Sequence, residues 1–258
     1  MPKYFDFHSH LNFPEFETDF DEVLDRMRET ETHTVVVGID YESSKQAVEL
    51  AEKYEEIYAC IGVHPVTPLP TLPLVRGGQG WGELVKHPKV VMIGECGFDF
   101  YHTKKEEDYE RQKKLFIDQI EFALEHNKPI MVHARNAYQE VVEIIAEYPD
   151  LHGNIHFFTG TLEEARKFVD LNFTLSFAGP VTFARNYDEV IKGIPIEHII
   201  SETDSPYAAP APYRGKRNEP SFVQEVVKKI AEVRNEDFEE TRETLVNNAI
   251  RMIGFKSL

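Results

Sequence analysis

Tyr4-Phe5-Asp6-Phe7-His8-Ser9-His10 is a short apolar run that ends in two histidines one residue apart. In an extended strand the side chains alternate faces with a period of two, so His8 and His10 point to the same side and are placed to grip one cation together. A His-x-His pair also arises as ordinary core or surface histidines. What gives this one weight is where the other candidate ligands fall.

Outward from this stretch, strand-like and helix-like segments alternate along the chain. Residues 3–8 read as a strand, and 19–30 as an amphipathic helix with Phe20, Val23, Leu24 and Met27 on one face. A second strand at 34–39 precedes a helix at 43–54, opened by Ser43 with Gln46 in a capping-box pattern. Strands at 57–63 and 89–94 are separated by the Pro- and Gly-rich stretch 65–86, which reads as a long loop leading into a short helix at 81–86. The longest helix spans 105–127, followed by a strand at 129–133 and a helix at 138–148. Then come a strand at 154–158, a helix opened by the capping box Thr161 to Glu164, a strand at 173–177, a weaker helix at 183–192 and a strand at 198–201. A Pro-rich loop, 205–220, leads to closing helices at 221–233 and 238–252. Eight strands, each followed by a helical segment, predict a parallel sheet, because parallel neighbours need helix-length crossovers. The expectation is an α/β fold, a (β/α)8 TIM barrel in one domain over 1–258, with a doubly wound open sheet as the alternative.

Composition narrows the function. The chain has 258 residues, 41% hydrophobic and 28% charged, as in a soluble globular protein. No apolar run is long enough for a membrane span and no signal-peptide pattern opens the chain, so a cytoplasmic address without membrane partners is expected. Cys60 and Cys96 lie in apolar strand-like runs and read as packed, reduced thiols, although Cys96 adjoins a candidate ligand. The net charge of -17 argues against a protein that coats nucleic acid nonspecifically, because such binding neutralises phosphates with Lys and Arg.

Barrel enzymes carry their chemistry at the carboxyl ends of the strands. There the sequence places His64 after strand three, Glu95 after strand four, His133 and Arg135 at strand five, His156 at strand six, and Glu202 and Asp204 after strand eight. Each alone has an ordinary structural reading, as a hydrogen-bonded core histidine or a helix cap. Together with His8 and His10 they converge on one mouth of the barrel and predict a metal site.

The ordered motifs Asp6-Phe7-His8-Ser9-His10, Gly62-Val63-His64-Pro65, Gly94-Glu95-Cys96-Gly97-Phe98-Asp99, His133-Ala134-Arg135, His156-Phe157-Phe158-Thr159-Gly160, Glu202-Thr203-Asp204-Ser205-Pro206 and Arg217-Asn218-Glu219-Pro220 resemble those of the TatD family. These are metal-dependent hydrolases and deoxyribonucleases of the amidohydrolase-like superfamily. The sequence departs from the family pattern at Phe157, where Cys is frequent, and at Phe98, where Leu is usual; residues 67–82 match poorly. The resemblance implies two divalent cations, one held by His8, His10, Glu95 and Asp204, the other by Glu95, His133 and His156. Zn, Mn, Fe and Co suit such a mixed donor set, with Mg as a weaker occupant. Two such cations polarise a phosphoryl oxygen and lower the pKa of an attacking water. Glu95 and Asp204 are the expected catalytic carboxylates, with Asp204 as general base. His64, Arg135 and Arg217 are the candidate substrate contacts, Asp6 and Glu202 the candidate supports behind the ligands, and Asp99 reads as scaffold, with a supporting role behind the ligands as the alternative. The implied activity is deoxyribonuclease action on DNA ends or short oligonucleotides from the 3′ end, with no obligate protein partner. A small-molecule amide, ester or phosphate hydrolase is the alternative, and a metal-binding scaffold protein a third reading.

Overall fold

The structure, a computed structural model, describes residues 1–68 and 80–254. Among these the strands are β1 (Tyr4–Ser9), β2 (Thr32–Val37), β3 (Ile57–Ile61), β4 (Val90–Asp99), β5 (Ile130–Arg135), β6 (Gly153–Ile155), β7 (Thr174–Phe177) and β8 (Ile199–Ser201). The helices are α1 (Phe20–Glu29), α2 (Tyr41–Lys53), α3 (Trp81–Leu84), α4 (Lys105–Glu125), α5 (Tyr138–Ile145), α6 (Leu162–Asp170), α7 (Asp188–Gly193), α8 (Val223–Arg234) and α9 (Phe238–Met252). The strands form one eight-stranded sheet in sequence order, every neighbouring pair parallel. Where β8 runs out, Ser205 bridges Ser9 in parallel and the Asp204 N–H donates to the His8 carbonyl at 2.9 Å, which brings the sheet round into a near-closed, TIM-barrel-like wall. Half of the stretch expected as a loop at 65–86, residues 69–79, lies outside the described residues, and its far end carries α3.

Period-two alternation divides the core into two layers. Phe5, Phe7, Val35, Val37, Cys60, Met92, Met131 and Ile200 fill the barrel interior, closed at the end away from the site by Val246, Ala249 and Ile253 around α9. Tyr4, Val36, Ala59, Ile61 and Ile93 face outward and pack under the helices. Cys60 and Cys96 are free, buried thiols, and burial raises the pKa of both. No helix among the described residues is long and apolar enough to cross a membrane.

Simple alternation would send His8 to the outer layer with Tyr4, and Glu95 outward with Ile93. Both strands carry an irregularity that prevents this. Between Asp6 and Ser9 the chain takes three steps against two from Thr34 to Val36, and between Ile93 and Cys96 three against two from Ile130 to Val132. One extra residue resets the alternation, as a β-bulge does, and re-aims the next side chains at the mouth. In β4 the bulge requires glycine. Gly94 and Gly97 have φ of 148° and 133°, and a Cβ on them would lie 2.4 Å from the Met131 carbonyl oxygen and 2.1 Å from that of His133. Strand four therefore does not stop at residue 94 as its glycine suggests; it runs on to Asp99, which pairs with Arg135.

Other sequence expectations shift by smaller amounts. The box that opens α2 is built by Asp40 and Ser43, not by Ser43 and Gln46: Asp40 Oδ1 accepts the Ser43 N–H at 2.8 Å and the Ser43 hydroxyl oxygen accepts the Asp40 N–H. The box of Thr161 and Glu164 opens α6 as read. The stretch at 183–192 is a 3-10 turn, Arg185–Tyr187, running into the short α7.

Candidate metal centre and active-site cleft

The strand ends surround a cleft of about 1330 Å³ whose lining includes His10, His64, Glu95, His133, Arg135, His156 and Asp204. At its floor the Nε2 atoms of His8 and His10 lie 3.2 Å apart. Glu95 Oε2 is 3.5 Å from His8 Nε2 and 4.0 Å from His10 Nε2, and Asp204 Oδ1 is 3.8 and 3.7 Å from the same two nitrogens. These separations are too long for good hydrogen bonds. They match donors arranged round a shared ion, since ligands about 2.1 Å from a tetrahedral centre sit about 3.4 Å from one another. His10 Nδ1 lies 3.1 Å from the Val37 carbonyl, an acceptor, so its proton stays there and the Nε2 lone pair faces the cluster. His8 Nδ1 is buried without a hydrogen-bond partner among the described residues, and the ring stacks on His156 at 3.7 Å between centroids.

A second set gathers on Glu95 Oε1. His133 Nδ1 is 2.6 Å away, His156 Nε2 3.6 Å and His64 Nε2 3.7 Å. The outer nitrogens decide which imidazoles offer a lone pair. His156 Nδ1 lies 3.0 Å from Glu202 Oε1, an ion-pair contact not aligned as a hydrogen bond, which draws the ring proton to Nδ1 and leaves Nε2 open. His133 Nε2 lies 3.1 Å from Asp99 Oδ2, which holds one ring proton there; Nδ1, 2.6 Å from the Glu95 carboxylate, donates to it in the metal-free protein, and a cation would take the place of that proton. His64 is the opposite case: its Nδ1 accepts the Val66 N–H at 3.3 Å, so the neutral ring carries its proton on Nε2 and presents a donor to the cleft. Donor atoms lie within reach of one ion in the groups His8, His10 and Glu95, and His64, Glu95 and His133, with Asp204 and His156 beside them, and such mixed imidazole and carboxylate sets fit divalent cations.

The electrostatics agree. Burial would raise the Glu95 carboxyl, but His156, His64 and His133 outweigh it and hold it well below the usual range. Burial also works against charge on His156, yet Glu202, Glu95 and Asp204 push that imidazole up to about 10. The carboxylates thus favour positive charge in this cage, whether it arrives as a proton or as a metal ion. Burial lowers His10 to about 3 and His64 to about 4, which keeps both rings neutral. Burial lifts Asp204 to about 6, with His156 and His8 opposing. Asp204 also sits in the left-handed region at φ 56°, uncommon for a non-glycine residue and held here by its N–H bond to His8.

Matched to the "TatD related DNase" family model, the chain aligns over residues 5–254. The chain belongs to the TatD family. It is 43% identical over 254 residues to the uncharacterized metal-dependent hydrolase YabD of Bacillus subtilis, covering 96% of this chain and 98% of that one. A metal-dependent hydrolase of Mycoplasma genitalium is 35% identical over 262 residues, with 97% and 98% covered. Among solved structures, the TatD homolog YJJV of Escherichia coli superposes with a TM-score of 0.86 at 25% identity, covering 98% of this chain and 99% of that one. A TatD family protein of Entamoeba histolytica, 22% identical with 97% and 98% covered, shares the fold at a TM-score of 0.83. The TatD family lies within the amidohydrolase-like superfamily of metal-dependent hydrolases.

Not every predicted contact reaches the TatD cleft. Arg217, expected as a substrate contact, lies outside the cleft lining: its guanidinium is bound to both Asp19 oxygens at 2.6 Å, donates to the Glu15 carbonyl and lies over the Phe16 ring. An acidic partner 198 residues away in sequence competes for it, which no local pattern reveals. Arg135 does line the cleft, with its guanidinium 4.0 Å over the exposed Tyr101 ring and no ion pair among the described residues. Glu202 backs His156 and also accepts the Ser176 hydroxyl at 2.5 Å and the Phe157 N–H at 2.7 Å. Asp6 touches no candidate ligand side chain. It joins β1 to the end of β8, accepting the Thr203 N–H and hydroxyl at 2.7 Å each. Sequence reading missed Tyr101, His102 and Tyr207 at the cleft; Asp99, weighed there as scaffold or as a support behind the ligands, lies behind His133.

Proposed function

We propose that this TatD family chain is a phosphodiesterase that takes two divalent cations and trims DNA from its 3′ ends. The observation that carries the reading is the Arg135 guanidinium, without an ion pair among the described residues, in the cleft lined by five of the six candidate metal donors. A planar fork of this kind is suited to bind a phosphate through two parallel bonds. Bound cations would supply Lewis acidity to a phosphoryl oxygen and acidify an attacking water. The chain's own groups do the rest. Glu95 is shared between the two donor sets. Asp204, its oxygen 3.7–3.8 Å from the Nε2 atoms of His10 and His8, is the carboxylate placed to take the proton of the attacking water. His64, kept neutral, donates Nε2–H towards a phosphoryl oxygen.

End-directed action follows from charge and shape. A net charge of -17 supplies no extended basic track for long duplex DNA, and the site is a cleft at a barrel mouth. The direction from the 3′ end and the choice of DNA rest on the family likeness. End-labelled linear single strands, incubated with the metal-loaded protein, are expected to lose mononucleotides progressively while a closed circular strand survives. Rapid nicking of the circle would overturn the end-acting model. Failure to cleave any nucleic acid across Zn, Mn, Mg, Fe and Co would favour a small-molecule hydrolase.

A further inference from the structure

One buried carboxylate behind the cleft wall has no part in the proposed chemistry and serves two groups of donors, one on each oxygen. Asp99 Oδ1 accepts the backbone N–H groups of Tyr101 at 2.9 Å and His102 at 2.8 Å. Oδ2 faces two imidazoles, His102 Nδ1 at 2.8 Å and His133 Nε2 at 3.1 Å. The residue is itself fixed: its N–H donates to Gln112 Oε1 at 2.8 Å, and its carbonyl accepts from Gln112 Nε2 and the Thr103 hydroxyl. Tyr101 and His102 both line the cleft, and Tyr101 carries Arg135 on its ring.

We propose that Asp99 is a positioning residue with two separable tasks: Oδ2 fixes the His133 proton on Nε2 so that Nδ1 is free for the second cation, while Oδ1 holds the Tyr101-His102 segment where it presents Arg135 to substrate. The assignment rests on the two-cation reading. Because a carboxylate only accepts, it satisfies all four donors at once. An amide cannot. With Asn at this position the oxygen stays with the backbone pair, since a peptide N–H cannot move its proton whereas an imidazole can. The amide NH2 then faces His133 Nε2, which must accept, and the ring proton moves to Nδ1, where the cation should bind.

The test titrates metal-free protein with Zn²⁺ by calorimetry and follows oligonucleotide cleavage alongside. Wild type should take up two ions. Asp99→Asn should hold one at wild-type affinity and bind the other about 10–100-fold more weakly, the range seen when the partner of a ligating histidine is removed, with KM unchanged. Asp99→Ala should show the same metal defect and a raised KM, because it also frees the segment. His102→Ala should keep both ions, since it leaves Oδ2 to His133 alone. Two ions at wild-type affinity in Asp99→Asn, or a lowered melting temperature with no change in ion affinity, would overturn the assignment while leaving the two-cation reading intact. Uptake of fewer than two ions by wild type would overturn both.

Discussion

Asp204 is asked to hold a cation and to move a proton, and its surroundings bear on both. In the metal-free protein burial lifts its carboxyl to about 6, so it is largely ionised at neutral pH and open to a cation. Its oxygen is 3.7–3.8 Å from the paired Nε2 atoms of His8 and His10. Asp204→Asn keeps the size and one ligand oxygen but removes the base, so turnover should fall by about 10² or more with metal content largely retained. Steady-state rates with parallel metal analysis check this, and retained turnover would leave Asp204 a ligand only. At this scale the sequence was informative about what converges and silent about how it is held. His8, His10, Glu95, His133, His156 and Asp204 are visible because strand ends in a parallel barrel must meet. The commitment of Arg217 to Asp19, or of Asp99 to His133, depends on contacts between distant parts of the chain.

Between elements, the seam from β1 to β8 determines whether the His8-His10 pair faces Asp204. Asp6 stitches that seam: fully buried, it accepts from Thr203 twice, from the Thr34 hydroxyl at 3.2 Å and from the His8 N–H at 3.4 Å. Burial raises its pKa well above the usual carboxylate range despite those bonds. Asp6→Ala leaves the buried Thr203 N–H without its acceptor, which costs about 1–3 kcal/mol. Asp6→Asn keeps a carbonyl for that N–H and should be milder. Urea unfolding distinguishes them, and an Asp6→Ala loss within about 0.5 kcal/mol, the range of an inert surface change, would contradict the seam. Elements were legible where periodicity is long: α9 spans Phe238–Met252 as read, and all eight strands appear in order. The bulges were not. A bulge is an extra residue relative to a neighbouring strand, so nothing within β1 or β4 alone announces it, and Gly94 reads as an end when it is a bend.

At the scale of the whole molecule, an acidic chain concentrates part of its charge around a buried cage that favours cations. In metal-free protein the proton on His156 fills that role. Its folded pKa, about 10, lies above the ordinary 6.5, so its contribution to stability is fully present below about pH 6.5 and is lost as pH rises towards 10. Thermal melts of metal-free wild type should therefore fall over that window relative to His156→Gln. Added Mn²⁺ or Zn²⁺ should restore wild type at the alkaline end by binding the folded state alone. Parallel curves for the two proteins would place the His156 charge elsewhere. The central claim is that Glu95 joins two donor sets into one centre, and the most direct test is the number of divalent ions per chain in gently purified wild type and in Glu95→Ala, measured by elemental analysis at matched protein concentration. Two ions in wild type, with loss at both sites in Glu95→Ala, is the predicted result; an unchanged ion count in the variant would contradict it.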